Sequence, residues 1–523
     1  MGWLLAWLTL SALVCSRCLE SCDVDDVSAL QYARAASESH THGDAVYVML
    51  PLDVMNRNST INDPEQLNHW FEQLRGINVT GVMTDVWWGI TEPAPKEYAF
   101  QGYKDLVRMV KRNALKLQIV TSFHSCGSSI PLPAWLLQEE GIWYQDAQGD
   151  VTKAYISLWA DHVQVRGRLG LAGVSVITIQ DVRQLVTQYM SGVFGGVGFS
   201  LGVFLYKGFP LKSYGNAEKA QLLKLRRTPL QMYADWMEAF KAEFHHDLGR
   251  SKTIVDIMVG LGTDGELKYP SYENGNPEDP WQFPGIGEFQ CYDPHARRSL
   301  QRAAEKARVP WTEPPKPEVT GTYNSLWNDT VFFTEGYKTP RGKFFLSWYA
   351  GSLYQHAHEV LRKARHIFGC SVHLTAKVSG VHWMYKTPSH AAEVTAGYYN
   401  ANDHTPYVQL ATIFHEFGAR FDFTCMEMTD AAQPAAAFSG PQELVGQVIT
   451  ATRQVGTSLT GENALATYNT AGYNQMLVNK PALLSLTYLR LGQTLMEEEN
   501  LRRFSEFVRA MQAPEFITPY SLE

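Results

Sequence analysis

The chain has 523 residues, of which 45% are hydrophobic and 19% charged, with a formal net charge of −8. That length allows one large α/β domain with insertions or two or three smaller domains, and the composition excludes a disordered or fibrous chain. The negative balance argues against a nucleic-acid partner or an anionic membrane surface, while 12% aromatic content suits either a large core or a site that stacks on sugar rings.

Residues 3–14 (WLLAWLTLSALV) form an uncharged apolar run, too short to span a bilayer. With the small residues that follow, it reads as a secretory signal peptide over 1–16, though no Lys or Arg precedes it. A secreted or secretory-lumen protein is the expectation. Asn58, Asn78 and Asn328 each head an acceptor triplet that such a route makes usable. Of the seven Cys, Cys15 leaves with the signal, and Cys18 and Cys22 lie close enough to pair. Cys126, Cys291, Cys370 and Cys425 are scattered singly without metal-ligand spacing, so no metal or other cofactor is expected. Cys126 and Cys425 read as buried thiols.

After an extension over 17–43, apolar strand-like runs alternate with amphipathic helical patterns. Ala45–Leu52 is the first expected strand, and Pro64–Arg75 follows as a helix with Leu67, Trp70, Phe71 and Leu74 on one face. Gly81–Trp88 and Leu117–Phe123 are the next strands, with a helix over Tyr103–Leu115 between them. Thr228–Leu248 is a helix with Pro229 in its first turn and Met232, Trp236, Phe240 and Phe244 four apart. Thr253–Val259 is the fourth strand. Helices over Pro294–Ala307 and Phe345–Ile367 precede a fifth strand at Val372–Val378 and a sixth at Asp422–Met426. Gln442–Val455 is a helix, Thr457–Thr460 leads into the seventh strand, Leu483–Leu489 is the eighth, and a helix over Asn500–Met511 closes the pattern. Eight alternations predict a (β/α)8 barrel over 44–512, with a short tail over 513–523. An open doubly wound sheet fits less well, because no Gly-rich nucleotide turn follows the first strand.

Residues 169–227 break this rhythm. They hold an apolar, Gly-rich run without charge over 189–206, marginal in length for a membrane span. The segment reads as a poorly packed insertion or as translated non-coding sequence, with a membrane hairpin as the lesser alternative.

In a barrel of this kind the chemistry sits at the strand ends, where the loops converge on one mouth. The stretch Val259–Tyr272 (VGLGTDGELKYPSY) ends the fourth strand in Gly260 and Gly262 and then offers Glu266 among aromatics. Alone, it could equally be a surface loop with a solvated carboxylate. Other strand ends add Asp85, His124 and Cys126, Lys377 and His382, Thr424 and Glu427, Glu462 with Asn463 and Ala464, and Arg490. An Asp at a strand end commonly caps a helix, and a His beside Phe commonly sits in a core. Seven strand ends so furnished are hard to explain that way.

The blocks DVWWG, FHSCG, GELKYPSY, FPGIGEFQCYD, KVSGVHWMYK, FTCMEM, GPQELV, GENAL and TYLRL, in this order from about Val46 to Arg490, resemble those of the β-amylases, glycoside hydrolase family 14. The resemblance implies a (β/α)8 fold and removal of maltose, with inversion, from the non-reducing ends of α-1,4-glucans, by a monomer. It implies Glu266 as general acid and Glu462 as general base. Asp85 and His124 would hold the innermost sugar, Lys377 and His382 the next rings, and Thr424 the substrate near the acid, with Asn463, Ala464 and Arg490 around the base. Glu427 takes a supporting part. Inversion requires the two carboxyls roughly 6.5–9.5 Å apart, to admit a water, and an acid that keeps its proton, which burial among aromatics such as Tyr269 favours.

One block departs from the family. After FHSCG it has a Gly-rich lid carrying an Asp; here Gly127 runs through Ser128, Ser129 and Ile130 directly into PLPAW. A lid excludes water and completes a site. A glucan-binding protein without turnover is therefore the alternative to an exo-acting hydrolase, and a retaining glycosidase with another substrate is a third.

Overall fold

In the computed structural model, residues 45–127, 129–166, 226–273 and 280–514 are described. Eight parallel strands close a barrel: β1 (Ala45–Met49), β2 (Gly81–Trp87), β3 (Lys116–Ser122), β4 (Ile254–Val259), β5 (His373–Val378), β6 (Ala419–Phe423), β7 (Leu459–Glu462) and β8 (Ser485–Tyr488). Each pairs with its sequence neighbours, and β8 pairs with β1. The strands are buried almost throughout, as expected where helices cover one face and the barrel interior the other.

The seven expected helices are present, with ends shifted by a few residues, and two more, over Pro406–Glu416 and Thr470–Asn479, were not expected. They are α1 (Pro64–Gly76), α2 (Gln101–Arg112), α3 (Pro229–Phe244), α4 (Pro294–Ala307), α5 (Pro340–Phe368), α6 (Pro406–Glu416), α7 (Pro441–Val455), α8 (Thr470–Asn479) and α9 (Glu498–Gln512). Their starts are written in the sequence. Proline opens six of them, where its missing N–H has no partner to lose. Thr228 and Gln231 cap α3 reciprocally, and Asp63, Asp293 and Thr339 cap α1, α4 and α5. The aromatic ladder of α3 packs inward: Trp236 lies 5.4 Å from the Phe123 ring, so this helix anchors the chain just before His124.

The barrel interior is layered. Near the bottom, Arg420 of β6 bonds Asp256 of β4 at 2.9 Å, and Thr375 of β5 donates to the same carboxylate at 2.8 Å. Met49, Met83, Val120 and Met258 form an apolar layer separate from the main core. Above it the interior turns polar again, and there the site begins.

One expectation needs correction. The sixth strand starts at Ala419 and ends at Phe423, so Thr424–Met426 belong to the loop beyond it. The third unit also carries an unanticipated antiparallel hairpin, Trp143–Gln145 against Val151–Ile156. Most of the segment read as an insertion lies outside the described residues, as does 1–44, with its signal and its Cys18 and Cys22. Its flanks are described: Val165 pairs with Arg227 and Arg166 with Arg226, antiparallel. Arg227 is buried and bonds Glu92 at 2.6 Å, so the chain is back in the core at that residue. Among the described residues no helix is long and apolar enough to cross a membrane. Asn58, Asn78 and Asn328 are exposed.

Candidate active site

The fourth strand ends in glycines because the backbone passes too close for a side chain. A Cβ on Gly260 would sit 2.1 Å from the Thr121 carbonyl, and one on Gly262 would sit 2.4 Å from that of Glu266. The loop folds back on itself, with Glu266 N–H bonding Thr263 O at 3.0 Å. Glu266 then forms a bridge to Lys377 of β5, and Leu267 N–H donates to the Lys377 carbonyl at 2.8 Å. This buries Glu266 at the C-terminal end of the barrel.

Lys268 lies under the acid loop. Its ammonium is buried, with Asp264 at 2.6 Å, Glu273 at 3.3 Å and Glu266 at 3.4 Å, and it donates to the Tyr272 hydroxyl. Burial opposes its charge, but Asp264, Tyr272, Glu266 and Glu273 outweigh that and hold it protonated. Burial also raises Glu273, helped by the neighbouring Asp264 charge. The aromatic that covers this cluster is Tyr272, its ring 4.1 Å from the Lys268 ammonium. Tyr269, expected there, stacks on Tyr349 of α5 at 4.0 Å and ties the loop to that helix.

Glu462 ends β7 with 0% of its surface exposed. Lys377 Nζ reaches its Oε2 at 2.6 Å. Asp422 of β6 is in register with both Lys377 and Thr460, and accepts from the Thr460 hydroxyl at 2.6 Å. Burial and then the Glu462 charge push the Asp422 carboxyl well up, against the pull of Lys377. Lys377 is held charged despite its burial, by Glu462 first, then Glu266 and Asp422.

The other expected residues surround this pair. Asp85 accepts from the Ser122 hydroxyl at 2.7 Å. His124 stands edge-on to Trp87 at 5.2 Å, its Nδ1 buried without a protein partner. Burial lowers its affinity for a proton, with Asp85 and Asp264 opposing. His382 is pushed down to about 4 by burial, with Asp430 opposing, and its Nδ1 lies 2.6 Å from the Ser439 hydroxyl. Thr424 accepts the Gly380 N–H at 2.8 Å, joining the β6 loop to the β5 loop.

Asn463 bridges loops rather than facing outward. Its amide donates to Leu465 O and Leu489 O at 2.9 and 2.6 Å and accepts from Leu489 N–H at 2.8 Å. Arg490 donates to Leu50 O at 3.2 Å, linking β8 to β1. Glu427 accepts from the N–H groups of Ala464 and Leu465 at 3.0 and 2.7 Å, which fixes the turn after Glu462. Cys425 is buried and Cys126 half-buried; both are free thiols. The short segment after His124 is pinned: Cys126 and Ile130 exchange backbone bonds at 2.9 and 3.3 Å, and Arg57 donates to Ser129 O at 3.0 Å.

Sequence reasoning passed over Asp422, Lys268 and Asp264. Asp422 sits in an alternating FDF run whose middle residue must face the barrel interior. The i, i+4 spacing of Asp264 and Lys268 was the corresponding signal on the acid loop. Among the described residues no cluster of His, Cys, Asp and Glu could hold a metal ion.

Comparison with known proteins gives a consistent picture. The profile of glycosyl hydrolase family 14 matches residues 47–204 and 213–515. A β-amylase of Medicago sativa is 39% identical over 494 residues, covering 90% of this chain and 87% of the relative. β-Amylase 5 of Arabidopsis thaliana is 38% identical over 495 residues, covering 90% and 86%. The catalytic domain of the β-amylase from Paenibacillus polymyxa shares the fold, with a TM-score of 0.66 at 24% identity over 90% of this chain and 100% of that one. With a barrel closed by eight strands and a family profile spanning nearly all of it, the chain belongs to glycosyl hydrolase family 14, the β-amylase family.

Proposed function

We propose that the protein hydrolyses α-1,4-glucosidic bonds of starch- or glycogen-type glucans from their non-reducing ends, releasing β-maltose by inversion. The observation that carries this reading is the meeting of two carboxylate loops at Lys377, whose ammonium faces Glu462 and whose backbone pairs with Glu266. Glu266 donates its proton to the glycosidic oxygen as that bond to the anomeric carbon breaks. Glu462 takes a proton from a water whose oxygen forms the new bond on the opposite face. Lys377 and Asp422 flank the base. Asp85 and the unpartnered His124 are suited to the hydroxyls of the innermost sugar, and His382 and Thr424 to the rings beyond.

The experiment is hydrolysis of soluble starch by wild type, Glu266→Gln and Glu462→Gln. Loss of turnover in both variants, by about 10²–10⁴-fold or more, is expected. Full activity in either refutes the assignment, and glucan binding without sugar release by the wild type replaces it with a binding protein. We also propose passage through the secretory pathway, in keeping with the apolar run at 3–14 and the exposed Asn58, Asn78 and Asn328. Endoglycosidase treatment of protein secreted from eukaryotic cells should lower its mass; intracellular retention without glycan contradicts this.

A further inference from the structure

Behind the acid loop lies a buried contact that the proposed chemistry does not use. His356 of α5 is 2% exposed. Its Nδ1 lies 2.6 Å from Asp161 Oδ2, and its Nε2 lies 3.1 Å from the carbonyl oxygen of Leu261. The Tyr155 hydroxyl stands 3.4 Å from the same Nε2. Leu261 is the residue between Gly260 and Gly262, in the turn that leads to Glu266.

Both ring nitrogens face oxygen acceptors. The Leu261 carbonyl can only accept, so a bond there uses the N–H on Nε2. That carbonyl is set within a turn having no slack: Gly260 is pressed against Thr121 O, and Gly262 against Glu266 O. Rotating the Leu261 peptide would therefore displace the backbone of Glu266. We propose that His356, fixed by Asp161, is a positioning residue for Glu266, holding through the Leu261 carbonyl the turn that presents the acid to the glycosidic oxygen. The proposal rests on Glu266 being that acid.

A cavity of about 510 Å³ opens beside this contact and is lined by Asp161 and His356 together with His162, Arg298, Gln355 and Glu359. It is large enough to admit free imidazole to the space that a truncated His356 leaves.

The test uses the full chain and soluble starch. His356→Ala should lower kcat by about 10²-fold, the scale of a 1 Å misplacement, with KM within about threefold of wild type. Added imidazole should restore kcat of His356→Ala by about tenfold, with no effect on wild type or on Glu266→Gln. An unimpaired kcat, or a loss that imidazole leaves untouched, overturns the proposal. If His356→Ala does not fold, Asp161→Asn and Asp161→Ala decide. The Asn amide can donate to Nδ1 and leave Nε2–H on Leu261 O, so kcat should stay within about threefold, whereas Asp161→Ala should lose at least about tenfold. Equal effects of the two overturn the proposal. Glu266→Gln, run in parallel, separates the two failures: turnover that survives it removes the acid assignment, while turnover lost there but intact in His356→Ala removes only the positioning role.

Discussion

Lys377 Nζ lies 2.6 Å from Glu462 Oε2, while the Lys377 backbone is bridged to Glu266, so a single residue of β5 is in contact with both carboxylate loops. Removing this ammonium leaves Glu462 buried beside Asp422 without the cation that faces it. Lys377→Met should therefore destabilise the fold by about 3–5 kcal/mol, the usual cost of breaking a buried pair from one side. Urea unfolding of the variant checks the figure; an unchanged midpoint would show that the pair contributes nothing to folding.

Burial and the Glu462 charge raise the Asp422 carboxyl, and an amide mimics its protonated form. Asp422→Asn should keep kcat within about tenfold of wild type and bind glucan normally. Loss of turnover as complete as in Glu462→Gln would mean that an ionised Asp422 is required.

Glu427 is a carboxylate at the mouth whose two oxygens both serve backbone N–H groups. Glu427→Gln retains one acceptor and should lose about tenfold in kcat through the displaced Ala464–Leu465 turn. Glu427→Ala leaves both N–H groups without their acceptor, at about 1–3 kcal/mol for each that stays dry. Steady-state kinetics and unfolding of the two variants test this, and a total loss of chemistry in Glu427→Gln with unchanged stability would give Glu427 a direct part in the reaction.

His382 ties stability to pH. Its affinity for a proton is lowered from 6.5 to about 4 by burial, with Asp430 opposing. The unfolded chain binds a proton there as pH falls below 6.5, while the native site refuses it until about 4. Native stability from this residue is thus complete above 6.5 and declines as pH falls through that window. Melting temperature measured against pH should fall less steeply across the window in His382→Gln than in wild type; parallel curves would remove His382 from the acid sensitivity.

The flanks of the segment over 167–225 meet in an antiparallel ladder, Val165 against Arg227 and Arg166 against Arg226. Such a pair can be closed by a two-residue Asn-Gly turn. Replacing 167–225 by that turn should leave starch hydrolysis within about threefold and the fold intact. Loss of folding would make the segment part of the barrel's structure.

Much of the barrel was legible because its strands are continuous apolar runs punctuated by Gly and Pro, and four of its helices begin at capped prolines. The sixth strand was misplaced because Ala419 and Arg420 open it with a small and a charged residue; Arg420 is inside to meet Asp256, a partner 164 positions away. The blocks around Glu266 and Glu462 put both at strand ends, and both lie buried at the C-terminal end of the barrel. Their electrostatic neighbours were not legible. Lys268 and Asp422 acquire their roles only when β4, β5, β6 and β7 come into register, and no local pattern states that register. Asn463 was expected around the base, and its block does not state that its amide bonds Leu465 and Leu489. Tyr269 and Tyr272 are three apart in one block, and only packing against α5 decides which of them covers the acid cluster.

The most direct test of the account is the configuration of the first sugar released. Soluble starch is incubated with the enzyme and the anomeric protons are followed by NMR before mutarotation. Early β-maltose is the result that Glu266 and Glu462 acting from opposite faces of the sugar predict; an early α-anomer would contradict inversion and the roles given to both residues.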